Sequence, residues 1–175
     1  MKKFKVFFMG LVMAICMLGT STTASASTYS TGKAIIPFFY QGPTSWTGYY
    51  ISNITDKPID VTVTLYDTNG SLITDDGNPN TGRIVISDLL GIVPQSYNDK
   101  NPDSTVIFTI NPHCSTYFKL GLTNTTYFGY GDVQWRQSGS ITQGLVCTGV
   151  SWQTNKDNPD LNGRLPIDVN SGLPF

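Results

Sequence analysis

Along residues 59–66 the apolar side chains of Ile59, Val61, Val63 and Leu65 alternate without a slip with Asp60, Thr62, Thr64 and Tyr66. Successive side chains of an extended chain point to opposite faces, so a period of two predicts a strand with one face in a core and one in water. The rhythm recurs. Upstream, Tyr49 and Ile51 alternate with Tyr50 and Ser52; downstream, Val106, Phe108 and Ile110 alternate with Thr105, Ile107 and Thr109. Thr116, Phe118 and Leu120 then oppose Ser115, Tyr117 and Lys119, Val133 and Trp135 oppose Asp132, Gln134 and Arg136, and Val146, Val150 and Trp152 mark a further strand. With Ala34–Tyr40 near the start, the pattern predicts about eight strands at short intervals, hence an all-β domain built as a single antiparallel β-sandwich, immunoglobulin-like in general architecture.

The segments between these runs carry turn chemistry. Asn53–Lys57 turns the chain, and Asp67-Thr68-Asn69-Gly70 offers Asn and Gly, which tolerate positive φ, so Ser71–Thr74 is expected to begin a returning strand. Asn111-Pro112-His113 makes another turn. Residues 75–104 break the rhythm: after the turn-rich DDGNPNTG, Arg83–Ile86 reads as a short strand and Ser87-Asp88 as the cap of one helical turn over LLGIV. Residues 155–175, rich in Asn, Pro and Gly, are expected to run extended over the surface, leaving residues 27–154 as the sandwich domain.

The first residues follow different rules. Lys2, Lys3 and Lys5 precede an apolar run from Val6 to Leu18, and Ala24-Ser25-Ala26 supplies the small residues that a signal peptidase cuts. The run falls short of the roughly 20 residues that cross a bilayer. Residues 1–26 therefore read as a cleaved signal peptide, and the mature chain is expected to be secreted, extracellular and without a membrane span. The leader holds three of the 11 basic residues, so the mature chain carries 8 against 12 acidic ones, a net of −4. That sparse acidity argues against a nucleic-acid partner. Every acid is Asp, which fits a chain poor in helix formers.

Two cysteines remain in the mature chain, Cys114 and Cys147. An even number in an exported protein suggests a disulfide, worth roughly 3–4 kcal/mol in the chain-entropy picture. Metal ligation by the pair is not expected, because the sole histidine is His113 and no further Cys or His stands at ligand spacing. The run Asp67–Ser71 matches the start of a calcium loop, but Asn78 stands where that loop needs its bidentate Glu, so a hairpin explains it better. No cofactor is implied.

Groups able to exchange protons or attack are few. His113 lies in a turn, and Asp75 and Asp76 are adjacent and point different ways, so neither a catalytic triad nor a carboxylate pair is expected, and the chain reads as not an enzyme. Aromatic residues are the one excess. By strand parity Tyr49, Trp135 and Trp152 belong to the core, while Tyr50, Tyr66 and Tyr117 face outward. Trp46 and the run from Tyr127 through Tyr130 sit at strand ends where parity does not decide. Trp46, Tyr50, Tyr127 and Tyr130 are the candidate ligand-binding residues, since exposed flat rings stack on sugars or peptides.

The succession IPFFYQGPTSW, YYISNITDKPIDVTVTLYDTNGSLI and FTINPHCSTYFKL, within residues 34–120, resembles small bacterial sandwich modules. Uncharacterised secreted proteins of Gram-positive bacteria and the sensory rhodopsin transducer family are similar in this way. The resemblance implies a sandwich and association through sheet faces, and it brings no catalytic residue. The reading as a whole is an exported, non-enzymatic surface, matrix or interaction protein, whose partner would be a polysaccharide or another surface protein; the alternative is a small carbohydrate- or peptide-binding module with an aromatic rim, and a weak hydrolase is the remote one.

Overall fold

The computed structural model describes residues 28–73, 84–86, 90–97, 105–120, 126–154, 157–158 and 162–175. Among the described residues nine strands follow in chain order: β1 Tyr29–Gln41, β2 Ser45–Asn53, β3 Ile59–Asp67, β4 Ile84–Ile86, β5 Thr105–Ile110, β6 Ser115–Leu120, β7 Tyr127–Ser138, β8 Leu145–Gln153 and β9 Gly163–Asp168. All pairings are antiparallel. One layer runs β5-β3-β7-β1 and the other β4-β6-β2-β8-β9. They are joined at a corner where β1 passes into β2, paired there only at Gln41 and Trp46. The inward sets meet in one apolar core: Ile36, Val61, Val63, Phe108 and Val133 from the first layer, Ile51, Phe118, Leu145 and Cys147 from the second.

The alternation of residues 59–66 is realised in β3, the most regular strand, which pairs on both sides. β1 is less regular. Ile36 pairs with Gly131 and Phe39 with Gly129, so Pro37 and Phe38 bulge out of the ladder. The bulge accommodates a proline that cannot donate a ladder hydrogen bond, and it restores Phe39 to the core.

Two locks close the sandwich. Asn53, at the end of β2, is buried, and its Nδ2 lies within hydrogen-bond distance of the carbonyls of Lys57 (2.7 Å), Ile110 (3.2 Å) and Asn111 (3.1 Å). Its Oδ1 accepts from the Thr55 backbone at 2.9 Å and from Thr55 Oγ1 at 2.8 Å. Gln137 of β7, also buried, donates to Thr55 Oγ1 and to Lys57 O. The second lock is at the core's other wall. The Tyr49 hydroxyl donates to the carbonyl of Phe38 at the β1 bulge, and burial holds that phenol above its usual range.

Several expectations are corrected. The Asp67–Gly70 turn forms, with Asp67 Oδ1 accepting from the Asn69 and Ser71 backbones at 2.8 Å; among the described residues the return is a single bridge between Tyr66 and Leu72, and Thr74 lies outside them. The neighbours of β3 come instead from distant chain, which buries its apolar face more fully than a short hairpin arm would. Of the helical turn expected over residues 87–93, residues 87–89 lie outside the described residues. Leu90 and Gly91 form a turn and Ile92 bridges to Ile110. That segment lies along the β5 edge, with Val93 N donating to Thr109 O and Thr109 N to Ser96 Oγ, so it covers an edge that would otherwise present unpaired backbone. Residues 163–168 of the tail add β9 to β8, and Phe175 is buried, its carbonyl accepting from Gly144 N and Leu145 N.

The disulfide is also corrected: Cys114 and Cys147 are both free thiols. Ile51 on β2 is the register partner of Thr116 on β6 and of Cys147 on β8, and Asn53 N donates to Cys114 O. β2 therefore stands between the two cysteines. Two strand spacings, roughly 9–10 Å, exceed the Cα separation of at most about 7 Å that a bridge allows. Cys147 is instead a core side chain, and burial pushes its thiol up to about 12.

Three outcomes follow. Asn53→Ala strands several carbonyls at the junction and is expected to lower the unfolding free energy by about 3 kcal/mol in urea titration. Dithiothreitol is expected to leave the thermal midpoint unchanged, with Cys147 inert to a thiol reagent until the chain unfolds. The thiol is neutral when protonated and its folded pKa is raised, so its contribution to stability is full below about pH 9 and is lost as pH rises toward about 12. Denaturation midpoints measured across that window should fall less steeply in Cys147→Ala.

Candidate functional site

The outer face of the second layer carries a continuous run of rings. β2 lies between β6 and β8, and the register sets Tyr50 beside Tyr117, Gly48 beside Lys119 and Trp46 beside Trp152, with Arg164 of β9 next to Trp152. Cross-strand neighbours on one face stand close enough for their side chains to meet. Tyr50 and Tyr117 lie 4.8 Å apart between centroids, the Tyr117 ring meets Trp46 edge-on at 6.4 Å, and Trp46 stacks on Trp152 at 5.1 Å with planes 16° apart. Lys119 Nζ stands over Trp46 at 5.5 Å and the Arg164 guanidinium over Trp152 at 3.5 Å. Lys119 approaches from the β6 side and Arg164 from the β9 side, so each indole meets a cation as well as the other indole.

Gly48 makes the run possible. A Cβ at that position would fall on the Tyr117 ring and hydroxyl, so the glycine lets the phenol lie flat across β2. The Tyr117 hydroxyl and the Trp152 indole N–H are buried there without a hydrogen-bond partner among the described residues. Burial, and then the neighbouring Tyr50, keep the Tyr117 phenol above its usual range.

The outer face of the first layer is built differently. It holds a groove of about 590 Å³, lined by Thr31, Lys33, Asp60, Thr62, Gln134 and Arg136 among others, with Ile107 as its apolar side. Asp60 faces Arg136 in register, and Thr62 faces Gln134. Four of these polar groups are held in place: Thr109 Oγ1 donates to Asp60 at 2.8 Å, Lys33 pairs with the buried Asp132 at 3.1 Å, Gln134 donates to Asp132 at 3.0 Å, and the Arg136 guanidinium lies 3.7 Å over the Tyr29 ring. Two outward positions beyond Thr62 on β3, Tyr66 stacks with Tyr130 of β7 at 5.0 Å and 16°.

The four candidate residues thus do not form one rim. Trp46 and Tyr50 belong to the ring run, Tyr130 stands 46% exposed on the opposite layer, and Tyr127 is half-buried against the core. Tyr49 and Trp135 are core as expected, but Trp152 is not. In β8 the inward residues are Leu145 and Cys147, and Trp152 has the parity of Val146 and Val150, which face outward with it. The groove residues gave no sequence signal beyond being polar positions of three strands, β1, β3 and β7.

His113, at φ 55, pairs with Asp56 at 2.8 Å on the open surface, the two side chains being 64% and 95% exposed. Asp75 and Asp76 lie outside the described residues. Among the described residues no group of three His, Cys or Asp side chains is placed to hold a metal ion, and no helix is long and apolar enough to cross a membrane.

No family model matches the chain, and no curated protein matches it. Solved structures that are similar in part include the following two. A crystal structure of Thermotoga maritima 1070 is 11% identical with a TM-score of 0.45, over 78% of this chain and 90% of that one. A variant of BcpA, the major pilin subunit of Bacillus cereus, is 16% identical with a TM-score of 0.19, over 81% of this chain and 39% of that one.

Gly48→Ala should destabilise the protein by about 1–3 kcal/mol through overpacking against Tyr117, and adding Tyr117→Ala should recover part of that loss in a double-mutant cycle read by urea denaturation. Tyr117→Phe removes a hydroxyl that has no partner among the described residues, so its midpoint is expected to match or exceed that of the parent chain.

Proposed function

We propose that this chain is an exported β-sandwich that acts at the cell surface or in the matrix by binding rather than by turnover. The observation that carries the reading is the first-layer groove, in which Asp60, Lys33, Gln134 and Arg136 are oriented in advance by contacts with their own neighbours. Preoriented groups lose little freedom when a ligand arrives, which is how a modest surface gains affinity. A groove of about 590 Å³ also falls in the size range of small-ligand sites.

The aromatic-rim reading finds less support. A sugar stacking on Trp46 or Trp152 would first have to displace Lys119, Tyr117 or Arg164 from a ring. Those rings are better read as a brace across four strands, and binding is placed on the opposite layer.

The reading is tested with the purified chain mixed with Gram-positive cell-envelope preparations, isolated wall polysaccharide and extracellular matrix. Saturable co-sedimentation with at least one of them is the expected outcome. No saturable retention on any of them overturns the reading, and so does turnover of a glycoside, ester or peptide panel that His113→Ala abolishes.

A further inference from the structure

We infer that the first-layer groove is a site for a neutral, extended oligosaccharide, held by side chains of β3 and β7 with the Tyr66–Tyr130 pair as its stacking platform. The inference rests on the binding reading above and gives it a ligand class.

Backbone chemistry narrows the choice first. β3 is paired to β5 and β7, and β7 to β1 and β3, so the floor of the groove has spent its backbone donors and acceptors on the ladder. The open edge of this layer is β1, which meets β2 only at Gln41, and a peptide joining there by strand addition would lie beside the groove rather than over its floor. What it offers is side-chain groups of both kinds: the Asp60 carboxylate and Gln134 carbonyl as acceptors, the Arg136 guanidinium, Lys33 ammonium and Gln134 amide as donors, and the Thr62 hydroxyl as either. Such a mixture suits hydroxyl groups, each of which donates and accepts.

Charge narrows it further. Lys33 is balanced by Asp132, and Asp60 stands opposite Arg136 across the ladder. The face therefore sums to zero and gives no advantage to an acidic or a basic ligand. The groove is open rather than closed over, and the tyrosine pair stands beyond it on the same face of β3 and β7, past the buried Thr64 and Asp132, roughly 13 Å from Thr62 over four residues of extended chain. Tyr130 is half-exposed, and a tyrosine ring presents an apolar face to the C–H side of a sugar while its hydroxyl remains in water. Polar groups at one end and a flat ring at the other are spaced for several linked sugar units rather than for one.

The test is titration calorimetry of the purified chain with neutral hexasaccharides of β-glucan, mannan, galactan and chitin. A polygalacturonate hexasaccharide and an extended hydrophilic peptide serve as the competing classes. At least one neutral hexasaccharide is expected to bind, with Gln134→Ala and Asp60→Ala each raising Kd by about tenfold or more and Tyr130→Ala weakening the hexasaccharide more than its disaccharide. Tyr50→Ala and Lys119→Ala, on the opposite layer, should leave Kd unchanged, and circular dichroism of each variant reports on the fold. Binding of the polygalacturonate or the peptide alone, or equal Kd in groove and opposite-layer variants, overturns the inference. Saturable envelope retention without any neutral hexasaccharide binding also overturns it while leaving the binding reading standing; loss of retention itself sinks both.

Discussion

Asn53 stands where the two layers end together, and the rest of the sandwich depends on its amide. β2 belongs to one layer, yet the Asn53 side chain bonds to carbonyls at Lys57, Ile110 and Asn111, which lead into or out of strands of the other. Gln137 reaches the same point from β7. Two sheets that met only through apolar side chains could slide, because dispersion and burial are non-directional. A buried amide with directional partners fixes the angle and the register at which they meet, at the cost of a site that tolerates no lost partner. The corner at Gln41 and Trp46 and the Tyr49 hydroxyl on Phe38 hold the opposite wall.

With the layers fixed, their outer faces diverge. On the second layer, rings and cations contact one another across neighbouring strands, leaving Tyr50 half-exposed but the indoles largely engaged, and the apolar area that might have met a ligand stiffens the sheet. On the first layer, alternating Asp, Thr, Gln, Lys and Arg contact one another only enough to be oriented. The same strand geometry thus gives a brace on one side and a receptive surface on the other. The difference lies in which side chains stand opposite each other in register, a long-range property.

Local pattern was a good guide wherever it concerned one strand. The period of residues 59–66 placed Ile59, Val61, Val63 and Leu65 inside, and parity put Tyr49 and Trp135 in the core and Tyr50 outside. It misled where apolar residues face outward. Val146, Val150 and Trp152 are apolar, so β8 was read one residue out of phase, and a slip of one reverses every side chain. Asn53 and Thr55 looked like turn residues; their role as a buried junction depends on β5 and β7 arriving beside them. The two cysteines invited a bridge because their number is even, while the strand that separates them is invisible to spacing along the chain.

The sequence alone determined the class of structure. A chain without Glu, with period-two alternation and turn residues between the runs, has few ways to bury its apolar side chains other than as layered antiparallel sheets. It also determined which half of each regular strand is polar, and so the chemical inventory of the surface. Only the tertiary structure decided how that inventory is grouped: that Trp46 meets Trp152 and is covered, that Tyr130 parts from Trp46 onto the other layer, and that Asp60, Gln134 and Arg136 converge on one groove. Alternation assigns a side chain to a face through its own backbone, but which strands lie side by side is set by the contest among all of them for one core, and sites are made by neighbours.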